Sequence, residues 1–115
     1  VGFYAMPEYH AQVYAEGASF TNVVTPGQYL AEQKVVADQI LSAFAQAAGK
    51  AGIPVETVTV QKRSAYEAII ATAKKKKCDL IVMASHGRRG LSGLILGSET
   101  QKVLTHSKVP VLVVR

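Results

Sequence analysis

Ser85-His86-Gly87-Arg88-Arg89-Gly90, with the Gly97-Ser98 pair that follows it, is the stretch whose residue types suit chemistry on an anion. Glycines let the backbone approach a ligand closely, and the unpaired N–H groups that open a helix favour negative charge. Arg88 and Arg89 add positive charge beside them. The run Asp79 to Ala84 before the loop reads as a buried strand, and a helical pattern carrying Val103 and Leu104 opens near Gly97. Strand, glycine-rich loop and helix in that order suit a phosphate. The loop is of neither standard kind, since no Gly-Lys-Ser/Thr closes it and no Gly-x-Gly-x-x-Gly follows the strand.

The other elements are those needed to position this loop. Val1 to Met6 is apolar from its first residue and reads as a strand that the chain enters part-way, as if truncated. Residues 7 to 25 lack helical or alternating periodicity and read as a flexible loop, with His10 a solvated side chain. Thr25-Pro26 opens the longest helix with a capping hydroxyl and a proline at the first turn, and Val36, Ile40, Phe44 and Ala47 mark its apolar face. Gly52 is placed to end it in the left-handed region, ahead of Pro54. Val55 to Gln61 is β-branched with polar interruptions, the pattern of an edge strand. Ser64 and Glu67 have capping-box spacing for a helix that runs to about Lys76, with Tyr66, Ile69, Ile70 and Ala73 as its stripe. Val109 to Val114 is the last strand, and Pro110 belongs at its start or on an edge. This alternation of strands and helices predicts an α/β domain with an open parallel sheet covered on both faces.

Composition narrows the function. A chain of 115 residues reads as one domain, residues 1–115. Lys74 to Lys77 close a helix and complement its negative end, and no aromatics accompany them to stack bases, so nucleic acid is not an expected partner. No apolar run reaches the ~18 residues of a membrane span, and no signal peptide is recognisable, so the chain reads as cytoplasmic. Cys78 is alone and reads as a buried, inert thiol.

With these residues in place the chain resembles the universal stress protein family over its whole length, Val1 to Arg115. Nucleotide-binding members carry Gly-x2-Gly-x9-Gly-Ser/Thr, and Ala84-Ser85-His86-Gly87, nine residues, then Gly97-Ser98 reproduces that spacing, with Ala84 where the first glycine is expected. A methyl group there requires a negative φ and room beside the ligand. The resemblance implies a doubly wound, Rossmann-like sheet of the adenine nucleotide alpha hydrolase type, five parallel strands in the order 3-2-1-4-5. Val1 to Met6 would be the second strand, with the first strand and helix outside this sequence.

The resemblance also implies an ATP site. Gly87, Gly97 and Ser98 would hold the phosphates and Arg88 and Arg89 neutralise them, with His86 a hydrogen-bonding loop residue. Met83, Ala84, Glu99 and Thr100 complete the implied set. A Mg²⁺ ion accompanying the nucleotide would be held by phosphates and water. The same family implies a homodimer through Val109, Val111, Leu112 and Val113, and an alternative role as a dimeric signalling module that binds no nucleotide. Hydrolytic catalysis is the weakest reading, since Ser98, Glu99 and His106 lack nucleophile-elbow spacing, although slow ATP turnover stays open.

Overall fold

The computed structural model describes residues 1–9, 24–86 and 96–115. Its elements alternate: β1 (Gly2–Met6), α1 (Pro26–Lys50), β2 (Thr57–Gln61), α2 (Ala65–Lys75), β3 (Ile81–Ala84), α3 (Ser98–His106) and β4 (Val111–Val114). The chain packs as two compact units, Val1–Arg63 and Ser64–Arg115. Of the expected elements, the His10 loop lies outside the described residues. No helix among the described residues is long and apolar enough to cross a membrane.

In the first unit β1 and β2 pair in parallel, Gly2 opposite Thr57 and Met6 opposite Gln61. Parallel strands need a crossover between them, and α1 lies within it. Thr25 caps α1 as expected, and Gln28 makes the cap reciprocal: Gln28 N–H donates to Thr25 Oγ1 at 3.2 Å while Thr25 N–H donates to Gln28 Oε1 at 3.0 Å. The buried residues of α1 are Ala37 and Leu41, one position along from the predicted Val36 and Ile40. Ile40 and Phe44 are correspondingly more than two-fifths exposed. Gly2 presents no side chain to the helix, so Leu41 and one edge of the Phe44 ring both reach its backbone. β2 begins at Thr57 rather than Val55, and its alternation of exposed and half-buried residues fits a strand covered on one face.

In the second unit β3 and β4 pair in parallel, Ile81 opposite Val111 and Ala84 opposite Val114. Ala73, Ile81 and Val103 form its buried core, with Tyr66, Ile69, Cys78, Met83, Val109 and Val111 packed against them. Cys78 is a free thiol of intermediate burial. The predicted capping box at Ser64 is not formed, because the Ser64 side chain makes no capping hydrogen bond. The work is done from further along the chain: Tyr66 N–H, in the first turn of α2, donates to Glu99 Oε2 of α3 at 2.9 Å. A carboxylate is the stronger acceptor for an orphan helix N–H and complements the positive helix end.

Two helices end by the same device on different residues. After α1, Gly52 has φ +69°, its N–H donates to Gly49 O at 3.1 Å, and Ile53 N–H donates to Ala48 O at 2.9 Å. After α2, Lys77 has φ +53°, its N–H donates to Lys74 O at 3.1 Å, and Cys78 N–H donates to Ala73 O at 2.9 Å. Both are paired-bond closures around a left-handed residue, where a side chain costs about 1 kcal/mol or more. Urea unfolding should therefore show Gly52→Ala less stable by about 1 kcal/mol and Lys77→Gly at least as stable as the parent, with unchanged m-values. A stabilised Gly52→Ala would contradict the assignment.

Candidate functional site

The site is built where β3 ends and α3 begins. β3–β4 pairing continues for one residue past the strand, Ser85 N–H donating to Val114 O at 2.8 Å, which fixes the backbone of a residue only 7% exposed. Ser85 Oγ and His86 Nδ1 are 2.8 Å apart, so the hydroxyl orients the imidazole. The other ring nitrogen, Nε2, is buried and has no hydrogen-bond partner among the described residues. A buried polar atom left in this way costs free energy unless a ligand or water completes it.

α3 is stapled to this strand end by two hydrogen bonds. Gly97 N–H donates to Ser85 O at 2.8 Å, and the hydroxyl of Thr100, 3% exposed, donates to Ala84 O at 3.1 Å. Gly97 has φ −57° and ψ 145°, open to any residue, so what disfavours a side chain here is close packing rather than the dihedral. A Cβ at this position would lie 3.1 Å from Ser85 O, 3.6 Å from His86 Cα and 3.7 Å from Thr100 Oγ1. Gly97 thus spends its own N–H on Ser85. The next donors at the helix start belong to Ser98, Glu99 and Thr100, which have no intrahelical acceptor and, among the described residues, no capping side chain.

Glu99 is turned elsewhere. Its Oε2 accepts from Tyr66 N–H at 2.9 Å and its Oε1 pairs with Lys102 Nζ at 2.9 Å. Lys102 Nζ also lies 5.7 Å from the centre of the Tyr66 ring, which packs 5.1 Å from the His106 ring. The hydrogen bond and the attraction of Glu99 hold the Lys102 ammonium above its usual pKa. That pairing contributes below the ordinary lysine pKa of about 10.4 and fades as pH rises through the raised value.

The predicted residues Met83, Ala84, His86, Gly97, Ser98, Glu99 and Thr100 are thus gathered at one strand end and one helix start. Gly87, Arg88 and Arg89 lie outside the described residues. Ala84, in place of the expected glycine, sits in extended backbone; among the described residues only Lys77 is a non-glycine with positive φ. Met83 faces the core. Sequence reasoning passed over Ser85 as a structural centre, although its place between Ala84 and His86 was within the motif. The described residues contain no cluster of three or more His, Cys, Asp or Glu side chains able to hold a metal.

Parallel strands joined through helices, with a glycine-started helix docked on the end of a strand, define an α/β protein. The model of the Universal stress protein family matches residues 9–115, and the chain belongs to that family. Universal stress protein MJ0531 of Methanocaldococcus jannaschii is 30% identical over an alignment of 115 residues, covering 94% of this chain and 67% of that protein. Universal stress protein YxiE of Bacillus subtilis is 39% identical over 77 residues, 67% of this chain and 51% of that protein. The solved structure of hypothetical protein MJ0577, presented as a structure-based assignment of biochemical function, superposes with a TM-score of 0.70 at 28% identity, covering 77% of this chain and 61% of that one. The chain spans about half the length of YxiE and of a Thermus aquaticus universal stress protein, 51% and 52%.

The Thr100 staple can be tested apart from any ligand. Thr100→Val keeps the side-chain shape and removes the donor to Ala84 O, and should cost about 1 kcal/mol in urea unfolding and speed amide exchange in α3. Thr105→Val removes an exposed hydroxyl that bonds Gln101 O within the same helix at 2.8 Å, and should cost less. Equal losses would show that the contact with β3 is not special.

Proposed function

We propose that this chain is a cytoplasmic stress-response domain that binds ATP, its phosphates seated on the start of α3 and the end of β3, and that it acts as a nucleotide-dependent switch. The observation that carries this reading is the buried Nε2 of His86, which has no partner among the described residues, in the residue whose backbone Gly97 approaches at the start of α3. In the tautomer whose Nδ1 accepts from the Ser85 hydroxyl, Nε2 carries the proton and is a donor to an anion. The chemistry of the described residues fits a phosphate: the Glu99 carboxylate is engaged by Tyr66 N–H and Lys102, and Gly97 lets the helix start approach the strand end closely. Gly87, Arg88 and Arg89 belong to the same proposed site, and Mg²⁺ would enter with the nucleotide on phosphate and water ligands. The fold proposed with it is the five-stranded doubly wound sheet, in which β1–β2 and β3–β4 are the outer pairs of the order 3-2-1-4-5.

Calorimetry on the full chain tests the site. The parent should bind ATP, and Gly97→Val, whose side chain would crowd Ser85 and the approach to the helix start, should lose at least several-fold in affinity. Equal affinity in parent and variant would move the phosphates elsewhere.

A second reading is a dimeric interaction module that binds no nucleotide, and the outer edge of β4 favours it. Pro110 O and Val114 O accept from β3, so by parity Leu112 also faces β3 and the backbone groups of Val111 and Val113 point away, toward an edge unpaired among the described residues. Val109 and Val111 already pack against their own core, whereas Leu112 and Val114 are 52% and 48% exposed. A homodimer along Val109, Val111, Leu112 and Val113 would therefore pair backbones and cover Leu112 and Val114. Val113→Pro removes an outward donor without touching the β3 ladder, and sedimentation should show it dissociating at concentrations where the parent is a dimer. A dimer that survives this change, in a chain with no ATP binding, would leave the module without this interface.

A further inference from the structure

A glutamate in the first turn of a helix ordinarily turns its carboxylate toward that helix's own open N–H groups, where the dipole favours it. Glu99 occupies that position in α3 and does otherwise, with both oxygens committed to other partners. One accepts from the first turn of α2, and the other pairs with Lys102 one turn further along α3. Among the described residues the Lys102 ammonium has this carboxylate and the Tyr66 ring as its partners.

We infer that Lys102 and the N-terminus of α2 form a latch that draws the Glu99 carboxylate out of the anion site, making Lys102 a positioning residue for nucleotide affinity. The inference rests on the ATP reading above. Released from Lys102, the carboxylate divides its time between Tyr66 N–H and the open N–H groups of Ser98, Glu99 and Thr100, where it competes with a phosphate for the same donors and repels it. The latch also explains why a site for an anion tolerates an acidic residue in its helix. The charge is present in the sequence, but its position is set by a partner on another helix and a cation on its own.

The experiment is a double-mutant cycle read by ATP titration. Lys102→Met keeps the aliphatic stem on the Tyr66 ring and removes the counter-charge, and should weaken ATP binding about two- to fivefold, the range expected for a charge at a helix end. That deficit should shrink at high salt, while Lys102→Arg binds as the parent does. In a Glu99→Gln background, where the amide oxygen can still accept from Tyr66 N–H, the same Lys102→Met change should have no effect. An equal loss in both backgrounds would mean that Lys102 attracts the nucleotide directly and would overturn the latch, as would parent-like affinity for Lys102→Met alone. Failure of the parent to bind ATP would overturn the latch together with the reading beneath it, and is told apart by the parent titration.

Discussion

Everything at the site depends on how closely α3 approaches the end of β3. Two hydrogen bonds, Gly97 N–H to Ser85 O and Thr100 Oγ1 to Ala84 O, tie the first turn of the helix to consecutive carbonyls of the strand. Such an approach would put a Cβ at position 97 in tight contact, 3.1 Å, with the Ser85 carbonyl. It also determines which N–H groups lack a partner among the described residues, since the staple consumes the one on Gly97 and leaves the next three. Further along the same helix, Val103 is fully buried between the elements of the core, so the register that opens the site is also the register that fills the core. Loss of the approach would disturb binding and packing together.

α3 also caps α2, through the side chain of Glu99. Helix starts are left with unpaired donors that something must satisfy. α1 satisfies its own with the reciprocal pair Thr25 and Gln28, a solution confined to four consecutive residues. α2 draws on Glu99, a residue 33 positions away from its partner Tyr66. The long-range cap makes the folding of α2 conditional on the docking of α3, whereas α1 is capped whatever surrounds it. The packing of Tyr66 between Lys102 and His106 extends the same dependence to the end of α3.

This difference explains what could be read from the sequence. Features that depend on neighbours along the chain were legible: the Thr25-Pro26 helix start, the left-handed Gly52, the order of strands and helices, and the motif that gathers Ala84, His86, Gly97 and Ser98. Features that depend on residues far apart were not. Ser64 and Glu67 have the spacing of a capping box, yet a carboxylate from α3 outcompetes the hydroxyl. The buried residues of α1, Ala37 and Leu41, lie one position past the predicted Val36 and Ile40, while the predicted Phe44 does reach Gly2, on a different element. Lys77 gave no sign of its left-handed backbone, since a lysine at a helix end reads as a solvated charge, and only the paired hydrogen bonds around it reveal the closure.

The strands of the second unit carry one more piece of this logic. Along β3 and β4 the residues facing α2 and α3, Ile81, Met83 and Val111, are apolar, as an exposed outer face would allow. The residues between them, Val82, Leu112 and Val114, are apolar too, and all are exposed. A sheet with one wet face shows alternation of apolar and polar residues, while near-continuous apolar runs belong to parallel sheets covered on both sides. The doubly wound fold proposed for this chain covers both faces, so it accounts for Val82, Leu112 and Val114 in a way that a two-stranded ribbon by itself does not. The apolar outer face is thus an argument for the larger sheet made from composition alone, independent of the motif that argues for the nucleotide.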